Sequence, residues 1–181
     1  MDKKPGIRPA LTVWHTLDVA ARYAFPVLLT GFVLLFLSTP IGIPGQAQMQ
    51  PAWALASVFF WTLFRPASLP ADAVFALGLL LDLLAQGPIG VGVLILLLAH
   101  ATALRGRRWL TRQGFAVVWL IFILFAAAAA ALEWLLVSVL TWRALPPWPG
   151  LFEFGMAAGA YPILATLLTH AHRSLAAPEN A

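Results

Sequence analysis

Residues 23–64 contain no charged side chain, yet Thr39-Pro40-Ile41-Gly42-Ile43-Pro44-Gly45-Gln46 interrupts them with turn formers. An uncharged stretch of that length offers no polar face to water, and the proline and glycine cluster divides it into two helices. Composition extends the constraint to the whole chain. With 61% hydrophobic and 10% charged residues and a mean hydropathy of +0.87, no soluble globular surface can be built. The expected class is all-α: a polytopic integral membrane protein with six transmembrane helices. The spans are expected at about 20–38, 49–65, 70–86, 88–104, 115–142 and 151–171. A bilayer core of about 30 Å takes about 20 helical residues, so the second is short. The fifth, at about 1.5 Å per residue, reaches about 42 Å and must tilt or protrude. The absence of cysteine excludes disulfides and thiolate metal sites.

Charge orients these helices. Lys3, Lys4, Arg8, Arg22, Arg65, Arg105, Arg107, Arg108, Arg112 and Arg173 fall on one side of an alternating topology, and Arg143 on the other. This is the positive-inside pattern, so both termini and a loop over 105–113 are expected in the cytoplasm. The high isoelectric point of about 10.4 is accounted for in the same way. The Arg105-Gly106-Arg107-Arg108-Trp109 cluster reads as a topology determinant at the lipid surface, with no nucleic acid implied. Trp14, Trp53, Trp109, Trp142 and Trp148 lie near span ends, where indoles favour the interface. The N-terminal basic residues and apolar run look something like a secretory signal, and read as an uncleaved first span.

One ionisable residue lies deep in a span. Asp82 occurs in Gly78-Leu79-Leu80-Leu81-Asp82-Leu83-Leu84-Ala85-Gln86-Gly87-Pro88-Ile89-Gly90. An Asp at a helix centre costs roughly 2.5–3.5 kcal/mol on insertion scales, so it is expected to face a partner, a cavity or water. Gly87-Pro88 then lets the chain reverse, with Pro88 at the start of the next helix. This pattern, with the length, span number and terminal orientation, resembles the bacterial rod shape-determining MreD family.

The remaining ionisable groups carry weaker signals. Asp72 follows Pro70 in a first helical turn, where it suits the helix dipole. His100 has no second ligand at metal spacing, and a hydrogen bond to a neighbouring helix is expected. Glu133 lies about 13 Å below the outer interface and Glu153 just inside the outer end of the last span. Asp82, Glu133 and Glu153 thus share the outer half of the membrane, as a lateral recognition surface, a small wet cavity or a network locking helices together. If Asp82 serves only such a network, Asp82→Asn is expected to be tolerated and Asp82→Leu to leave partners unpaired. Gly155-Met156-Ala157-Ala158-Gly159 is a GxxxG pattern, and the alanines at 126–131 add small-residue pairs. These favour close helix approach within the bundle, with a second copy, or with a foreign span.

No catalytic, cofactor-binding or metal-binding constellation is recognised. The division expected is a cytoplasmic segment 1–19, a six-span domain 20–171 and a cytoplasmic tail 172–181. The resemblance implies a non-enzymatic scaffold of the cell-elongation and peptidoglycan-synthesis machinery in the bacterial cytoplasmic membrane. It implies association with MreC and, directly or through it, with MreB and a RodA-type glycosyltransferase and its class B transpeptidase. It also implies a bundle similar to the S components of energy-coupling-factor transporters. That likeness carries the alternative: a substrate-binding subunit of a small-molecule transporter. The candidate partner-binding or packing residues are Gly78, Asp82, Pro88, Gly90, Glu133, Gly155 and Gly159.

Overall fold

The computed structural model describes residues 13–39, 42, 45–85, 87–143 and 145–176, with side chains described from residue 24 to residue 167. Six α-helices and one short turn of 3₁₀ helix follow one another: α1 (Val13–Ser38), α2 (Gln46–Phe64), the 3₁₀ turn Pro66–Ser68, α3 (Ala71–Ala85), α4 (Val91–Leu110), α5 (Phe115–Thr141) and α6 (Trp148–Ala176). Among the described residues there is no strand. Among the described residues two helices are long and apolar enough by composition to cross a membrane, Phe115–Thr141 and Trp148–Leu167; Ala24–Ser38 is a shorter apolar helix.

Breaks fall where the backbone demands them. Gly45 takes φ +82° at the start of α2. The Gln46 side chain folds back from that corner and donates to Leu37 O at 2.8 Å and to Thr39 O. Leu37 O, in the last turn of α1 where carbonyls have no partner within the helix, and Thr39 O just beyond it are thereby satisfied.

The helices pack around α2, which meets α1, α3, α4 and α6; α5 closes the bundle between α4 and α6. One aromatic cluster ties three of them. Phe122 of α5 stacks on Tyr161 of α6 with centroids 4.2 Å apart, and Phe59 of α2 meets Phe122 at 5.2 Å. Offset and tilted rings of this kind attract beyond the area they bury. Small residues let the backbones approach: Ala126, Ala129 and Ala130 are the buried alanines of α5.

The bundle has two unlike ends. At one, the basic end, the α4 residues Arg105, Arg107 and Arg108 lie near the 3₁₀ turn and the α4–α5 connection. These arginines are helical, because α4 continues to Leu110, and the expected loop shrinks to 111–114. Arg107 donates from Nε to Leu63 O at 2.7 Å, placing a cation on the C-terminus of α2, where the dipole favours it. At the opposite end, the turn end, Pro88-Ile89-Gly90 joins α3 to α4. Here the sequence expectation is corrected: α4 begins at Val91, not at Pro88. Pro88 belongs to the turn, and its carbonyl accepts from Val91 N–H at 3.4 Å.

The tryptophans divide. Trp109, Trp142 and Trp148 are exposed at helix ends, as interfacial indoles should be. Trp53 instead packs against the core in the body of α2, which corrects its expected interfacial position. Trp14 lies outside the residues with described side chains.

Candidate functional site

The first three N–H groups of an α-helix have no partner within the helix, and in α4 a residue of another helix supplies one. Asp82, in the last turns of α3, is buried. Its Oδ2 accepts from Gly90 N–H at 2.7 Å and from Val93 N–H at 3.3 Å, and its Oδ1 accepts from Gly92 N–H at 2.8 Å. The carboxylate is a cap supplied in trans, placed where the helix dipole is positive.

The glycines around it make this geometry accessible. Gly90 adopts φ +105°, which turns the chain into α4. A Cβ on Gly92 would strike Asp82 Oδ1, and a Cβ on Gly78 would come within 2.6 Å of Val93 Cα. Gly78 therefore sets how closely α3 and α4 approach, and Gly92 leaves room for the carboxylate. The whole run from Gly78 to Gly92 is one device that staples two antiparallel helices. Asp82→Asn is not the neutral change expected from sequence. All three partners are donors, and an amide nitrogen would set a donor against donors.

Beside the staple lies a cavity of about 340 Å³. Its walls come from α2, α3, the α3–α4 turn, α4, α5, the α5–α6 connection and α6. Asp82, Glu133 and Glu153 all line it, from three different helices. Glu133 and Glu153 hydrogen-bond to each other across the gap between α5 and α6. Glu153 is thus turned to this cavity, where the sequence suggested an inexpensive position at the interface. Leu55, Leu81, Ile95, Leu96 and Val137 supply apolar wall. Trp134 closes one side and donates from its indole Nε1 to Leu145 O at 2.9 Å, pinning the connection that roofs the space. Arg143 is exposed and not part of the lining. Among the described residues no group of His, Asp or Glu is arranged to hold a metal ion.

The other candidates fall elsewhere. His100 is buried, and its Nδ1 lies 2.9 Å from Thr62 Oγ1 on α2, the interhelical hydrogen bond expected. Asp72 sits in the first turn of α3. Gly155 and Gly159 are exposed, and a Cβ on either would meet nothing within 4 Å. The GxxxG pattern therefore does not pack inside this bundle, which removes the internal explanation of it. Three contributors were not singled out from sequence, Gly92, Gln46 and Trp134, and Arg107 was read only as a topology determinant. Of those three, only Gly92 carried a signal, the second glycine of Gly90-Val91-Gly92 after the proline.

A helical bundle whose buried polar groups lock helix ends together, with an apolar exterior, defines the class as an integral membrane protein of bundle type. Residues 21–169 match the family of the rod shape-determining protein MreD, so the chain belongs to that family, whose role is in determining rod shape. No curated protein and no solved structure matches the chain.

Proposed function

We propose that the protein is a non-enzymatic scaffold of the cell-elongation machinery, holding an MreC-like partner in the cytoplasmic membrane. Through that partner or directly, it would engage MreB filaments and a RodA-type glycosyltransferase with its class B transpeptidase. The family match over residues 21–169 is the observation that carries this reading. Within it, the domain over 20–171 crosses the membrane six times, in the manner of an energy-coupling-factor S component. The segments 1–19 and 172–181 are cytoplasmic. The basic end faces the cytoplasm because it holds Arg105, Arg107 and Arg108, whereas the turn end faces outward.

Partner contact falls on the outward face of α6. Phe152, Gly155, Gly159 and Ile163 follow one another at helical spacing and are all exposed. A partner helix can approach this stripe closely at the two glycines. The alternative, a substrate-binding transporter subunit, has the cavity at the turn end in its favour, but the family match ranks it second. Affinity purification of the tagged full chain from native membranes, with identification of co-eluting proteins, tests the scaffold reading. Recovery of an MreC-like protein is expected. Repeated recovery of transporter ATPase subunits in its place would overturn it.

A further inference from the structure

The cavity at the turn end is larger than a packing imperfection and differs in chemistry from the bundle around it. Its volume, about 340 Å³, is at the small end of the range of ligand sites, about 300–1,000 Å³. It lies where α3 ends and α5 continues. α3 stops three residues beyond Asp82, at Ala85, whereas α5 runs from Glu133 on to Thr141. The recess is roofed by the α5–α6 connection, with Leu145 held by the Trp134 indole.

Its polar groups are of one sign. The lining contains three carboxyl side chains and no Lys, Arg or His. Asp82 is committed to the backbone of α4. Glu133 and Glu153, on α5 and α6, are paired with each other and not with a backbone group. A hydrogen bond between two carboxyl groups needs a proton on one of them, so the pair carries at most one negative charge, and a group with several donors and a single positive charge complements it. A metal ion is a poor fit, because the acidic side chains do not converge as a metal site requires. The rest of the wall is aliphatic and would take a short hydrocarbon stem.

We propose that this cavity binds a small organic cation, a primary ammonium or guanidinium on a short apolar stem, with its charged head between Glu133 and Glu153. The inference does not depend on the scaffold reading. It concerns a site within the bundle and stands whether or not a partner helix covers α6.

The test is equilibrium binding of radiolabelled n-pentylammonium to the purified full chain in detergent. Pentan-1-ol and pentanoate serve as competitors of equal stem length. Saturable binding at one site per chain is expected, displaced by unlabelled pentylammonium and not by pentanoate. Pentan-1-ol should compete about tenfold or more less well, since it keeps the stem and loses the charge-assisted hydrogen bonds. Glu133→Gln and Glu153→Gln should each weaken binding by about tenfold or more. Ala130→Leu, which keeps both carboxyls and fills space at the wall, should abolish it. Absence of saturable binding, equal competition by the alcohol, or unchanged affinity in a folded glutamine variant would overturn the proposal. The wild-type competition decides the matter even where a variant fails to accumulate.

Discussion

Asp82 shows how an expensive residue can be the stabilising one. A carboxylate in a membrane helix is costly, and so is each unsatisfied backbone N–H at a helix start surrounded by lipid and apolar side chains. Pairing one Asp with three N–H groups offsets both penalties at once. Replacement by Asn leaves at least one donor facing another donor. Asp82→Asn is therefore expected to destabilise the purified protein by about 1–3 kcal/mol, read as a lower melting temperature in detergent. Asp82→Leu, which leaves all three unpaired, should be worse than Asp82→Asn. Gly92→Ala tests the same contact from the other side: its Cβ would meet Asp82 Oδ1, and a loss of about 1–3 kcal/mol is expected. At the far end of α4, Arg107→Ala should cost about 1–2 kcal/mol by removing the cation from the last turn of α2. Equal melting temperatures for wild type and these variants would show that the contacts are not stabilising.

Among the elements, the α3–α4 hairpin and α6 behave differently from their sequence impression. The reversal after α3 was legible because Gly87-Pro88 interrupts an apolar run, but the strained position lies at Gly90. Gly90→Ala is expected to cost about 1–2 kcal/mol for its positive φ, and Pro88→Ala less than about 1 kcal/mol, since Pro88 lies in the turn outside α4. Thermal melts of the two variants compare them directly. The sites also differ in how readable they were. Asp82 announced itself as a charge in an apolar run, whereas its partners are main-chain N–H groups that no side-chain pattern encodes. The cavity was unreadable for a related reason: its walls come from residues as distant as Leu55 and Glu153, and convergence depends on packing angles. Helix facing was also hidden. Where every side of a helix is apolar, periodicity cannot tell the core face from the lipid face. So Gly155 and Gly159 were visible as a pattern, but their outward orientation was not.

For the whole molecule, the account is a bundle of six helices closed at one end by charge on helix termini and left with a lined recess at the other. Its orientation in the membrane is testable. Reporter fusions at Gly45, Gly87 and Pro147 should read as outside, and one at Gln113 as cytoplasmic, because arginines gather at that end. A reversed pattern would invert the assignment of the cavity to the outer side. The central claim is a division of labour: the Asp82 device holds the bundle together, and the outward face of α6 meets the partner. Membrane abundance and recovery of the MreC-like partner, measured together in Asp82→Asn and in Gly155→Leu/Gly159→Leu, test that division most directly. The account predicts that Asp82→Asn loses abundance, and partner recovery only in proportion. The double glycine variant should keep wild-type abundance, since neither Cβ meets anything in the bundle, and lose the partner. Wild-type abundance with lost recovery in Asp82→Asn, or wild-type recovery in the glycine variant, would contradict it.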